Sequence, residues 1–104
     1  MIVSLAATGQ VTLESPENFR GFYVASAIER ARNSEAATAL AALNMMLDGD
    51  HVWVPVAWLE AQGAAFGEEW RANLAGMISY AKKMGWVDDE ADALRAHVEW
   101  PSDV

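Results

Sequence analysis

From Phe66 to Met84 the apolar residues return at helical spacing: Phe66, Trp70, Leu74, Met77, Ala81 and Met84 follow one another at intervals of four, four, three, four and three. Only an α-helix keeps such a series on one side, so the stripe predicts a long helix with that side turned into a core. Glu68 and Glu69 fall in its first turn and Lys82 and Lys83 in its last, each matching the sign of the helix dipole at that end. Gly85 follows as the natural stop. Ala72, Gly76 and Ser79 make a second, small-residue side on which another backbone can come close.

The rest of the chain reads as shorter elements. QVTLE alternates Val11 and Leu13 with polar neighbours and predicts a strand. Ser15, Pro16 and Glu17 then form a helix start: a hydroxyl cap, a proline at the first helical position and an acid at the positive end. That helix is expected to run to about Ala31, with Phe19, Phe22, Tyr23, Ala27 and Ala31 inward, widened by Val24 and Ile28. Asn33 or Ser34 caps a second helix ending near Leu47, where Leu40, Leu43 and Leu47 repeat beside Met46 and LDGD closes as a turn. HVWV, from His51, reads as a strand, and Pro55 opens a two-turn helix, PVAWLEAQ, that Gly63 ends. After the long helix, WVDDEADALRAHVEW predicts two strands, over 86–87 and 94–100, joined by an acidic turn. The expectation is a single α+β domain over residues 1–104, mainly helical, with about four helices. Its small antiparallel sheet has three to four strands: HVWV, the Trp86 strand and LRAHVEW, with QVTLE as a fourth.

In the second half, the order strand, short helix, tight turn, long helix, strand, loop, strand resembles the winged helix-turn-helix. VAWLEAQG stands where that family has the first helix of its pair, AAF the turn, GEEWRANLAGMISYAKKM the second helix, GWV the start of the wing and LRAHVEW its returning strand. The resemblance spans residues 51–100, with 16–47 supplying the preceding helices, and Gly63 with Gly67 allows the corner between the pair. Many winged helices place the second helix in the DNA major groove. Here its leading residues include Glu68 and Glu69, and the wing carries Asp88, Asp89, Glu90 and Asp92. Carboxylates in those places oppose the counterion release that drives nonspecific DNA affinity. The scaffold is therefore expected without that activity, and nucleic acid is not an expected partner.

Whole-chain charge agrees. Fifteen acidic residues against seven basic give −8 at pH 7, a field that repels phosphate, favours basic or neutral partners and aids solubility. The absence of cysteine excludes disulfides, thiol nucleophiles and thiolate metal sites, and leads to the expectation of a reducing, cytoplasmic setting. MIVSLAATGQ has no Lys or Arg and only a short apolar run, so it reads as neither a secretory signal nor a membrane span. A hydrophobic content of 53% suggests surface that needs covering, yet twenty of those residues are alanine, which suits helix surfaces as well as cores.

Chemistry has few carriers. His51 and His97 sit in similar settings, HVW and HVEW, both on predicted strands. If those strands pair, His51, His97, Asp50 and Glu99 converge as metal ligands or as an acid–base pair. Of the five tryptophans, Trp70 belongs to the helical stripe and Trp58 to a packed helix; Trp53, Trp86 and Trp100 can face either a core or an interaction surface. DGD at 48–50 resembles the start of a calcium loop but lacks the later ligands and the closing Glu. No GxSxG, GxGxxG, phosphate loop or HExxH occurs, and no cofactor is expected. The first expectation is a non-catalytic protein-interaction or oligomerising domain. A protein partner or a second copy would meet Ala72, Gly76 and Ser79, or Trp53, Trp86 and Trp100. The alternatives are a winged-helix regulator with a basic strip drawn from Arg20, Arg30, Arg32, Arg71, Lys82, Lys83 and Arg95, and a small-molecule binder or enzyme using His51 or His97 in a Trp-lined pocket.

Overall fold

Among the described residues, strands outnumber helices as elements, although the helices hold more residues. The computed structural model describes residues 1–101. Their elements run β1 (Ile2–Leu5), β2 (Val11–Glu14), β3 (Tyr23–Ser26), α1 (Asn33–Ala41), β4 (Met46–Asp48), β5 (His51–Pro55), α2 (Val56–Gln62), α3 (Glu68–Lys83), β6 (Val87–Asp88) and β7 (Ala93–Glu99), with 3-10 turns at Arg30–Arg32 and Ala64–Phe66. The strands join one mixed sheet in the order β2-β1-β3-β7-β5-β4, with β6 as a further partner of β7. β1 is antiparallel to β2 and parallel to β3, β3 is parallel to β7, and β5 is antiparallel to both β7 and β4.

β7 is the strand on which the sheet turns. Along one side it pairs with β5 from His51↔His97 to Pro55↔Ala93. Along the other it meets β6 through Ala93 and Leu94, and β3 only from His97 onward. The Arg95 amide still reaches the Trp86 carbonyl at 2.8 Å. The sheet therefore forks at Ala96, where one neighbour has ended and the next has not begun.

On the inward face Val3, Leu5, Val24, Val52, Val54, Leu94, Ala96 and Val98 are buried, and they share one core with Ala36 and Leu40 of α1, Val56 and Leu59 of α2, and Trp70, Leu74 and Ala81 of α3. The alternate residues of β7, Arg95, His97 and Glu99, are exposed. Among the described residues, no helix is long and apolar enough to cross a membrane.

This sheet corrects the expectation of a mainly helical, winged-helix-like domain with about four helices and three or four antiparallel strands. Three α-helices stand against seven strands among the described residues. The antiparallel trio expected from HVWV, the Trp86 strand and LRAHVEW is present as β5, β7 and β6, but as part of a larger mixed sheet. The differences lie mainly in residues 1–48. MIVSL, which has no caps or helical spacing, is the interior strand β1. The helix expected from Ser15 to Ala31 is instead a turn followed by β3: Ser15 has φ +48°, not the extended backbone of a helix cap. Tyr23 to Ser26 alternates half-buried and buried residues and pairs on both sides, with β1 and β7. Two-sided pairing with burial of Val24 outweighs a weak local helix preference. The second helix ends at Ala41, and Met46–Asp48 joins β5, with Leu47 opposite Val52.

The stripe on α3 is inward at its centre and exposed at its ends. Trp70, Leu74 and Ala81 are buried, whereas Phe66 lies in the preceding 3-10 turn at 48% exposure and Met84 caps the helix at 47%. Trp70 fits because Gly63 has no side chain: a Cβ there would stand 2.0 Å from the Trp70 Cζ3.

Candidate functional site

At the fork in the sheet a cleft of about 400 Å³ opens, within the range typical of small-molecule sites. Leu94 and Arg95, which alternate to opposite faces of β7, both line the cleft. Tyr23, His51 and His97 contribute from the strands, and Met77, Tyr80 and Ala81 from α3. The loop before β3 supplies Phe19, Arg20, Gly21 and Phe22.

Local structure fixes two of the walls. α3 ends in a Schellman turn: the Trp86 amide donates to the Ala81 carbonyl at 2.8 Å and the Gly85 amide to the Lys82 carbonyl at 3.1 Å, with Gly85 at φ +78°. That turn brings Trp86 back over Ala81 and against Tyr80, whose ring centroid is 6.1 Å away. The loop over 15–22, whose residues 19–22 line the cleft, is anchored to α3 because the Trp70 indole N–H donates to the Pro16 carbonyl at 2.9 Å, with the Phe19 ring 5.9 Å from that of Trp70. Within the loop the Asn18 side chain accepts the Arg20 amide at 3.1 Å, and the Met1 amino group donates to the carbonyls of Asn18 and Gly21.

The two histidines come together. His51 and His97 are directly opposed on β5 and β7, their rings edge-on with centroids 5.8 Å apart. Tyr23 is opposite His97 and Asp48 opposite His51, so a row of four polar residues crosses four strands. Asp50 and Glu99 do not complete a metal site with them. The Asp50 carboxylate accepts the Trp100 indole N–H at 3.0 Å and pairs with Arg30, whose guanidinium lies 5.7 Å from the Trp100 ring. The indole N–H foremost, with Arg30 beside it, holds the Asp50 carboxyl below its ordinary range. Glu99 is exposed opposite Ala25. Among the described residues no group of three His, Cys, Asp or Glu is placed to hold a metal ion.

The other candidates separate. Trp100 is 6% exposed and belongs to the core, so it offers no surface anchor. Trp53 is half-buried on β5 between Met46 and Arg95, and Trp86 is a cleft wall. Ala72, Gly76 and Ser79 are exposed on α3. Of the basic residues, Arg30 pairs with Asp50 and Arg32 with Glu35, while Arg71 and Lys82 are separated along α3 by roughly 16 Å. Arg20 and Arg95 are the two that share the cleft. Sequence reasoning named both only within the basic strip of a winged-helix regulator and not in a pocket. Alternation along LRAHVEW puts Arg95 and His97 on one face, a usable signal; Arg20 gave none, because its segment read as helix.

Thirteen residues line the cleft, and none is Asp or Glu, although the chain carries −8. Compared with protein-family models, with curated proteins and with solved structures, the chain shows no match.

Proposed function

We propose that this protein is a small-molecule-binding domain whose site is the cleft at the fork of the sheet. The observation that carries this reading is an open cleft of about 400 Å³ lined by the rings of Phe19, Phe22, Tyr80 and Trp86, with Tyr80 packed against Trp86. Flat aromatic walls favour a ligand with a ring, through offset or edge-on contact. His51, His97 and the tyrosines then orient it by hydrogen bonding, in the manner of a largely apolar site with a few polar groups. The test is to titrate the protein with small aromatic compounds and follow amide and indole N–H signals by NMR. Shifts gathered at residues 19–23, 86 and 94–97, and lost in Trp86→Ala, are expected. Binding that leaves those signals unmoved refutes the reading.

A second reading, a homodimer, is favoured by a separate observation. Ala72, Gly76 and Ser79 are exposed, and nothing lies within 4 Å of a Cβ added at Gly76. Gly76→Arg leaves a monomer's fold intact but blocks close approach of a second helix. Sedimentation equilibrium on both forms tests this: a dimer converted to a monomer supports it, and a monomeric wild type dismisses it.

A further inference from the structure

We infer that the ligand of the cleft is an aromatic anion, a planar ring carrying one carboxylate or phosphate monoester, with the anionic group met by Arg20 and Arg95. This rests on the cleft being a small-molecule site and adds the charge and class of its occupant. Three observations lead to it.

The first is the hydrogen-bonding character of the lining. Its polar side chains are Arg20, Tyr23, His51, Tyr80, Arg95 and His97. Arginine only donates, tyrosine and histidine can donate, and no side chain in the set is an obligate acceptor. A cationic ligand finds no carboxylate in the lining. An anion finds two guanidinium forks, whose paired N–H groups match the two oxygens of a carboxylate or phosphate.

The second is that these charges are left unneutralised in a chain with an excess of acid. The ion pairs among the described residues belong to Arg30 and Arg32. Arg20 and Arg95 have none there, although fifteen acidic residues are distributed along the sequence. Asp48, opposite His51, and Glu99, two positions beyond His97, are acids beside the histidines, and both stay outside the lining.

The third is spatial order. Phe19, Phe22, Tyr80 and Trp86 give the cleft its rings, while Arg20 directly follows Phe19 and stands two residues before Phe22, and the Arg95 amide donates to the Trp86 carbonyl. Each guanidinium thus starts from the base of an aromatic wall, as a ligand with a ring and an attached anionic group requires. The negative field of the whole chain disfavours long-range capture of such a ligand. Affinity has to come from the short-range contacts in the cleft, and small anions with a ring are selected over bare phosphate.

The experiment uses a matched set of probes measured by titration calorimetry: 2-naphthoate, its neutral isostere 2-naphthamide, 2-naphthylmethylammonium and 2-naphthyl phosphate. Naphthoate or naphthyl phosphate is expected to bind at least about tenfold more tightly than the amide, the order of effect of a hydrogen bond to a charged group. The cation should bind most weakly. Whichever anion is preferred identifies the group as carboxylate or phosphate. Arg20→Gln and Arg95→Gln replace exposed side chains and should keep the fold, checked by circular dichroism. Each should remove most of the anion's advantage while leaving the amide's affinity unchanged. Equal binding of amide and anions, or an advantage untouched by both substitutions, overturns the anion assignment and leaves the cleft standing. If none of the four probes binds, the cleft reading fails as well.

Discussion

A single missing Cβ decides how the largest buried side chain of α3 is seated. Trp70 is 5% exposed, and its ring occupies the space that any side chain at Gly63 would need. Its indole N–H is committed to Pro16 and its faces to Phe19 and Phe66, so the ring has little freedom to retreat. Gly63→Ala is expected to cost about 1–3 kcal/mol by overpacking, read as a lower midpoint of urea unfolding. Gly76 is the control. It is exposed within α3 with open space beside it, and Ala at that position should be neutral or stabilising by about 0.5–1 kcal/mol through helix propensity. Equal effects of the two substitutions would show that Trp70 is not confined as described. Neither outcome is legible from the sequence, where both glycines stand among alanines and differ only in what the folded chain brings near them.

At the scale of elements, α3 and the loop over 15–22 act as one unit. The helix was readable because everything that makes it is local: spacing on one side, acids in the first turn, lysines in the last, and a glycine stop. The loop was not readable. Ser-Pro-Glu has the chemistry of a helix start, but no helix is completed there, and Gly21 separates it from β3. What holds the loop is remote, the Trp70 indole reaching the Pro16 carbonyl at 2.9 Å. Trp70→Phe removes that bond and part of the ring, for an expected loss of about 1–3 kcal/mol. The loop should loosen selectively. Hydrogen exchange of the Asn18 amide, which donates to Ser15 at 3.0 Å, should quicken more than that of the α3 backbone. Uniform quickening across both would mean that the bond supports the fold as a whole and not the loop.

At the scale of the whole molecule, the two ends of the β4–β7 region are joined by one polar cluster. Asp50, in the turn before β5, meets the indole of Trp100, just after β7, and the guanidinium of Arg30. The indole N–H and Arg30 keep its carboxyl below the ordinary value of 3.8, so the folded chain favours the ionised form. The stabilisation is complete above that ordinary value and is lost as the pH falls through the lowered one. Asp50→Asn retains an acceptor for the indole but not the charge. The wild type should therefore lose more stability than the variant on acidification below pH 3.8, measured as urea midpoints. Parallel losses in the two proteins would remove Asp50 from the acid response. The same scale explains the histidines: HVW and HVEW showed two similar strands, but only the antiparallel register His51↔His97 puts the rings 5.8 Å apart.

By itself the sequence determined what depends on near neighbours: α2 and α3, the turn after Asp48, the three strands of the second half, and the excess of acid. The hydrogen bonds, caps and dipole interactions of the helices and the turn close within a few residues, and the strands are short apolar runs bounded by turn residues, so composition and spacing are sufficient to mark them. The tertiary structure alone decided that Tyr23 pairs in parallel with Ile2 and with His97, that the sheet forks beside Ala96, and that Arg20 and Arg95 both line the cleft at that fork. Parallel pairing joins residues far apart in the chain, and its reward appears only once the connecting segments are closed. A four-residue segment such as YVAS carries no mark of the partners it will find, which is why the site is a property of the assembled sheet.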